Sequence, residues 1–234
     1  MHVIRFLAFI IIMAVFPGFT QGQENLSEIK SLEDFINFST YYYQRPNPKL
    51  VVSAITFMQQ SGFPQNDAQA PPLIGFFSEI FASNKNSMAL WNAEIKKTTG
   101  KTRKVLEAAT KYSQQLELLT HFDTSIAQPG LNDMCWGAYF ASGKSIYLDA
   151  LVSRLAYLSE RKNLMLYVTA SSAQWSISSN AIQHSQVKQY LESVIKKAPD
   201  DIKQAISNAL NKSPKEFKDS MARILKEQHD KKIW

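Results

Sequence analysis

Leu164-Met165-Leu166-Tyr167-Val168-Thr169-Ala170-Ser171 is the stretch on which the fold class turns. It is apolar and in part β-branched, so it suits a buried strand as well as a helix, and periodicity alone cannot separate the two in so short a run. The surroundings decide. No alternating run with hairpin turn chemistry lies elsewhere in the chain to pair with a strand. Asn163 sets the segment off from what precedes it, and no Gly or Pro interrupts it before Gln183. A helix over 164–183 is expected, and with it an all-α protein.

Working outward, further helices are expected near Ser185–Lys197, Pro199–Asn211 and Pro214–His229. Ser213-Pro214-Lys215-Glu216 is a capping box with proline at the first helical position, a strong start signal. Upstream, Gly143 separates Leu131–Ser142 from Ser145–Glu160, and the loop Asp123–Gly130 divides the chain. Thr102–Phe122 reads as one long amphipathic helix with the stripe Val105, Leu106, Ala109, Tyr112, Leu116 and Leu119. Ser87 is placed to cap a helix carrying Leu90, Trp91 and Ile95. Pro71-Pro72 opens one carrying Leu73, Phe76, Phe77, Ile80 and Phe81. The helix from about Pro48 to Ser61 closes on Gly62, and Ser31 with Asp34 frames a first helix marked by Leu32, Phe35, Ile36, Tyr42 and Tyr43. Short connectors imply antiparallel helical hairpins in a compact bundle or short solenoid. The small residues Gly137, Ala138 and Ala141 let a neighbouring helix come close.

The N-terminus reads differently. An apolar, uncharged run of about eleven residues from Phe6 to Phe16 follows Arg5, too short for a membrane span and right for a signal peptide. Pro17-Gly18 breaks it, and Thr20 and Gly22 are small residues before a cut at Gln23. Residues 1–22 are therefore expected to be a signal peptide and 23–234 a single helical domain. The signal implies export. The sequons at Asn25 and Asn37 are read as chance. Cys135 is the lone cysteine, so stability rests on packing without an internal disulfide.

The balance of 26 Lys and Arg against 20 Asp and Glu is modestly basic. The excess gathers at Lys96, Lys97, Lys101, Arg103 and Lys104 and again at Lys226, Lys231 and Lys232, which would suit an anionic membrane surface or an acidic partner. Nucleic acid is excluded as a partner, because no aromatic residues interleave the lysines.

Catalytic patterns are sparse. His121, His184 and His229 are far apart and form no helical metal-ligand pair, so neither metal nor cofactor is expected. There is no Gly-x-Ser-x-Gly elbow, and Thr99-Gly100-Lys101-Thr102 keeps only the end of a phosphate loop. Gln128, Cys135 and Trp136 resemble the nucleophile context of papain-like proteases. Asn132-Asp133-Met134 replaces the glycine context there, and the acidic Asp133 disfavours a thiolate. Glu79, between Phe76-Phe77 and Ile80-Phe81, sits where apolar surroundings would favour a protonated general acid. If the protein is an enzyme, Glu79 or Cys135 is the expected catalytic residue.

Tyr41, Tyr42 and Tyr43 cannot all face one core, because successive helical residues point about 100° apart. Phe76, Phe77 and Trp91 exceed what one narrow stripe buries. These six are the candidate interaction surface, with a broad core contact as the competing reading.

Three segments together carry a resemblance: Tyr41-Tyr42-Tyr43-Gln44-Arg45-Pro46-Asn47-Pro48 through Ser61-Gly62, Pro71-Pro72-Leu73-Ile74-Gly75-Phe76-Phe77-Ser78-Glu79, and Asn132-Asp133-Met134-Cys135-Trp136-Gly137-Ala138-Tyr139-Phe140. They resemble a family of uncharacterised, signal-peptide-bearing, all-helical bacterial envelope proteins, some from intracellular pathogens. The likeness spans Phe35 to Ile182. It implies an envelope location and no established enzymatic site. The expectation is a non-enzymatic exported protein that docks a protein partner or the membrane surface, in support of virulence or secretion in an intracellular bacterium. The alternatives are a periplasmic hydrolase with an unrecognised site and a host-directed secreted effector.

Overall fold

The computed structural model describes residues 27–231 and 233. The proposed signal peptide, Asn25 and Lys232 lie outside the described residues. Those residues form twelve α-helices and no strand: α1 (Leu32–Tyr41), α2 (Val51–Ser61), α3 (Ala70–Ser83), α4 (Met88–Ile95), α5 (Gly100–Tyr112), α6 (Glu117–Thr120), α7 (Gly130–Ser142), α8 (Ile146–Ser153), α9 (Leu164–Gln183), α10 (Ser185–Val194), α11 (Asp200–Asn211) and α12 (Pro214–Asp230). The protein is all-α. No helix among the described residues is long and apolar enough to cross a membrane.

Local chemistry explains the helix ends. Ser31 and Asp34 form the expected capping box at α1, with Asp34 N–H donating to Ser31 Oγ (3.1 Å) and Ser31 N–H to Asp34 Oδ2 (3.0 Å). Ser213 and Glu216 repeat the device at α12. Gly62 ends α2 at φ 67°, the left-handed stop that a residue with a Cβ would strain to adopt.

Two expectations are corrected. The long helix over Thr102–Phe122 is broken: α5 ends at Tyr112, and only the single turn α6 follows. Ser113 Oγ donates back to the Thr110 carbonyl (2.7 Å), a local bond that competes with the helical ladder just where Gln114 and Gln115 face water. Ser87 makes no side-chain cap. It closes a 3₁₀ turn, Lys85–Ser87, that runs directly into α4.

The described residues sort into two compact units. One comprises the residues up to Thr120 together with Asp133–Tyr147; the other comprises His121–Asn132 and the chain from Leu148 onward.

The first unit is built on aromatic rings. Tyr42 meets Phe38 (5.3 Å between centroids), Phe38 meets Phe76 (5.5 Å), and Phe76 meets Phe77 (5.3 Å). Phe77 then meets Phe81 (5.7 Å) and Phe81 meets Trp91 (5.6 Å), so one chain of rings links α1, α3 and α4. Helices α3 and α7 cross at reciprocal glycines. A Cβ on Gly137 would fall inside the Pro72 carbonyl with Phe76 N only 2.8 Å away, and a Cβ on Gly75 would fall inside the Met134 carbonyl. Of the small residues expected to let a neighbouring helix approach, Gly137 lies at this crossing.

The second unit is organised by α9, which touches the 3₁₀ segment Arg154–Ser159 and helices α10, α11 and α12. Leu166 to Ala181 is buried on nearly every face although it includes Ser171, Ser172, Gln174, Ser176, Ser178, Ser179 and Asn180. Small side chains let four neighbours approach, and several of the polar groups find acceptors, while Thr169 Oγ1 and Ser179 Oγ are buried without one. Ser176 donates to Ala173 O (2.9 Å), Ser178 to Lys212 O (3.0 Å), and Gln174 Nε2 to Ala205 O (3.0 Å).

Candidate functional site

Glu79 lies on the last full turn of α3, almost completely buried among the rings of the first unit. A lone carboxylate there would carry a heavy desolvation cost. Two groups from far along the chain offset it. Lys144 Nζ reaches both carboxylate oxygens at 3.0 Å, and Tyr147 O–H donates to Oε1. Ser83 Oγ approaches Oε2 at 3.5 Å, the outer limit of a hydrogen bond. The lysine side chain is half-exposed, so the pair runs from the core to the surface. Burial first, then the bond to and charge of Glu79, push the Tyr147 phenol well above its ordinary range.

Cys135, on α7, is fully buried, and its thiol donates to the Leu119 carbonyl at 3.0 Å. Cys135 also acts electrostatically on Tyr147. Nothing local in sequence pointed to Lys144 or Tyr147, which lie 65 and 68 residues from Glu79. Chemically, the carboxylate has both oxygens engaged and the thiol is held as a donor, an arrangement suited to holding charge in a core.

Asp133, beside Cys135 in sequence, differs. Part of the residue reaches the surface, yet desolvation is strong enough to push its carboxyl up to about 7. Burial moves the His184 imidazole the other way, down to about 4, so it is neutral at physiological pH. His121, His184 and His229 join no group of three or more metal-ligating side chains among the described residues.

The six candidate surface residues divide. Tyr42, Phe76, Phe77 and Trp91 are buried in the ring chain, which removes them from any docking surface. Helix α3 buries Leu73, Gly75, Phe76, Phe77, Glu79 and Ile80 alike, so it has a far broader apolar face than one stripe. Tyr41 and Tyr43 remain part-exposed. Tyr43 packs on Tyr139 (5.2 Å) and its amide donates to Phe140 O (2.8 Å), while Gly143 lies under its ring. Gln44, Arg45 and Pro46 are exposed on one side of this contact, and Lys144, Ser145 and Ile146 on the other. The turn after α1 and the turn between α7 and α8 therefore share one face, with Ile146 52 % exposed.

The basic clusters are largely tied down locally. Arg103 donates to Thr98 O and Lys96 O, Lys97 pairs with Glu94 (2.8 Å), and Lys101 pairs with Asp67 (3.1 Å). Lys226 and Lys231 pair with Asp230 and Glu227 on α12. Compared with protein-family models, curated proteins and solved structures, the chain matches none.

Proposed function

We propose that this is a non-enzymatic exported envelope protein that docks a protein partner, in support of virulence or secretion in an intracellular bacterium. The observation that carries the reading is the face formed by Tyr41–Pro46 and Gly143–Ile146. It offers tyrosine rings and an arginine, residue types enriched at protein interfaces, beside a half-exposed isoleucine. A protein partner is favoured over an anionic membrane because Lys97, Lys101, Lys226 and Lys231 each lie against an acidic side chain, which lowers the net positive charge of both clusters. The proposed setting is the bacterial periplasm or the periplasmic face of the membrane.

Photo-crosslinking residues placed at Tyr41 and Ile146 should trap one discrete envelope protein, and the same residue at Lys111, on α5, should not. Equal capture at all three positions, or none at any, would overturn the reading. Vesicle binding without a protein adduct would move the partner to the membrane surface.

A second reading, a periplasmic hydrolase, draws on one observation: the buried Glu79 carboxylate is bonded to both Lys144 and Tyr147. Loss of a cell-wall hydrolysis activity in both Glu79→Gln and Cys135→Ala, with the fold retained, would favour it over docking.

A further inference from the structure

The second unit contains a cleft of about 240 Å³ that the docking reading leaves unused. At roughly 30 Å³ per water it holds the volume of about eight waters. Its wall carries one cation, Arg161, and one anion, Asp201. Opposite charges in one cavity normally close on each other, yet no ion pair joins these two among the described residues. Arg161 is held elsewhere: its guanidinium stacks over the Tyr167 ring, with the central carbon 4.2 Å from the centroid. Its Nη1 is sealed from solvent without a hydrogen-bond acceptor, while the residue also contributes to the cleft wall. Glu227 acts on Arg161 only through space and is itself bonded to Lys231 at 2.6 Å.

The rest of the lining is of two kinds. Ser171, Gln204, Asn208 and Ser220 supply neutral donors and acceptors, and Leu158, Phe217, Met221 and Ile224 supply apolar surface. A fixed guanidinium, a separate carboxylate and an apolar wall in so small a space complement one chemistry. We infer that this cleft binds an α-carboxylate flanked by an N–H donor and an apolar side chain: the carboxylate to Arg161, the N–H to Asp201. A free apolar amino acid and the C-terminal residue of a peptide both present these groups. The inference stands apart from the docking face, which belongs to the other unit.

The test is titration calorimetry on the full chain with four probes: L-leucine, L-leucinamide, the tripeptide Ala-Ala-Leu and its C-terminal amide. Both free acids, or one of them, should bind at least about tenfold more tightly than the matching amide, the factor for one charge-assisted hydrogen bond. Arg161→Gln should remove that preference. Binding of leucine alone identifies a free amino acid, whose ammonium makes Asp201→Asn costly; tighter binding of the tripeptide identifies a chain terminus, for which Asp201→Asn costs less. Should Arg161→Gln fail to fold, Arg161→Lys must still weaken the acids, since an ammonium lacks the planar fork, and Asp201 is exposed enough to replace without unfolding. Equal affinity for acid and amide, no heat with any probe, or unchanged affinity in the Arg161 variants overturns the inference.

Discussion

Rings fill the core of the first unit, while hydroxyls and amides line the central helix of the second. In the first, Phe35, Phe76, Phe77 and Phe81 are each almost wholly buried, and the main buried charge, Glu79, is matched by a lysine and a phenol. In the second, α9 carries Ser176 and Ser178 at zero exposure, and fully buried Arg154 donates to Asn132 Oδ1 while lying over the Phe122 ring (5.1 Å). Asn132 in turn donates to Thr169 O (2.8 Å) and to Ser172 Oγ (2.6 Å). Both are helical cores, but one is held by area and ring contact, the other by close approach and directed bonds. The two should fail differently.

The largest expected effect is in the first unit. Phe77→Ala deletes a fully buried ring that touches two others, and should cost about 3–5 kcal/mol. Gly137→Ala overpacks the α3–α7 crossing and should cost about 3 kcal/mol or more, because backbone rather than a side-chain tip must yield. Denaturant unfolding measures both, and hydrogen exchange should show the loss in α3 and α7. A cost below about 1 kcal/mol for Phe77→Ala would mean that the ring chain is not what holds this unit.

Acid should separate the units next. Asp133 in the first unit has a folded pKa raised from 3.8 to about 7, so its contribution is fully present below about 4 and is lost as pH rises through 7. His184 in the second has a folded pKa lowered from 6.5 to about 4, so its contribution is present above 6.5 and is lost as pH falls through 4. Acidifying from pH 7 to pH 4 should therefore strengthen exchange protection around α7 and weaken it around the α9–α10 junction. For buried His184 the change is roughly 3 kcal/mol at full extent. For part-exposed Asp133 it is smaller, since solvent screens the group. Asp133→Asn should flatten the first trend and His184→Gln the second. Parallel trends in both units would show that neither group controls its surroundings.

This division was only half legible in the sequence. The bounds of α9 were readable, because Asn163 offers its side chain to Met165 and Leu166 N–H and no breaker intervenes before Gln183. Its all-round burial was not, since serine reads as a solvent-facing residue until four neighbours are known to surround it. Glu79 stood out by its apolar flanks, yet Lys144 and Tyr147 could not be attached to it: a pairing 65 residues distant leaves no local signal. Tyr42, Phe76, Phe77 and Trp91 failed as surface residues for the same cause. A helix packed on several sides buries more than one stripe, and the number of its neighbours is a tertiary fact. Arg161 was no candidate at all, because its stacking on Tyr167 depends on the turn that leads into α9.

The smallest effect is the sharpest test of how the second unit is held. Ser178 is fully buried, and its hydroxyl donates to the carbonyl of Lys212, the residue that ends α11. Ser178→Ala creates almost no cavity, so an area-based core would scarcely register it, whereas a core held by directed bonds should lose about 1 kcal/mol. The loss should be local, seen as faster exchange at the end of α11 with α3 and α7 unchanged. Ser178→Val adds volume without restoring the bond, and should cost more than alanine if close approach matters as much as the hydroxyl. If both variants match the parent in denaturant midpoint, a water or a neighbouring donor satisfies Lys212, and α9 is polar without its polarity stabilising the unit.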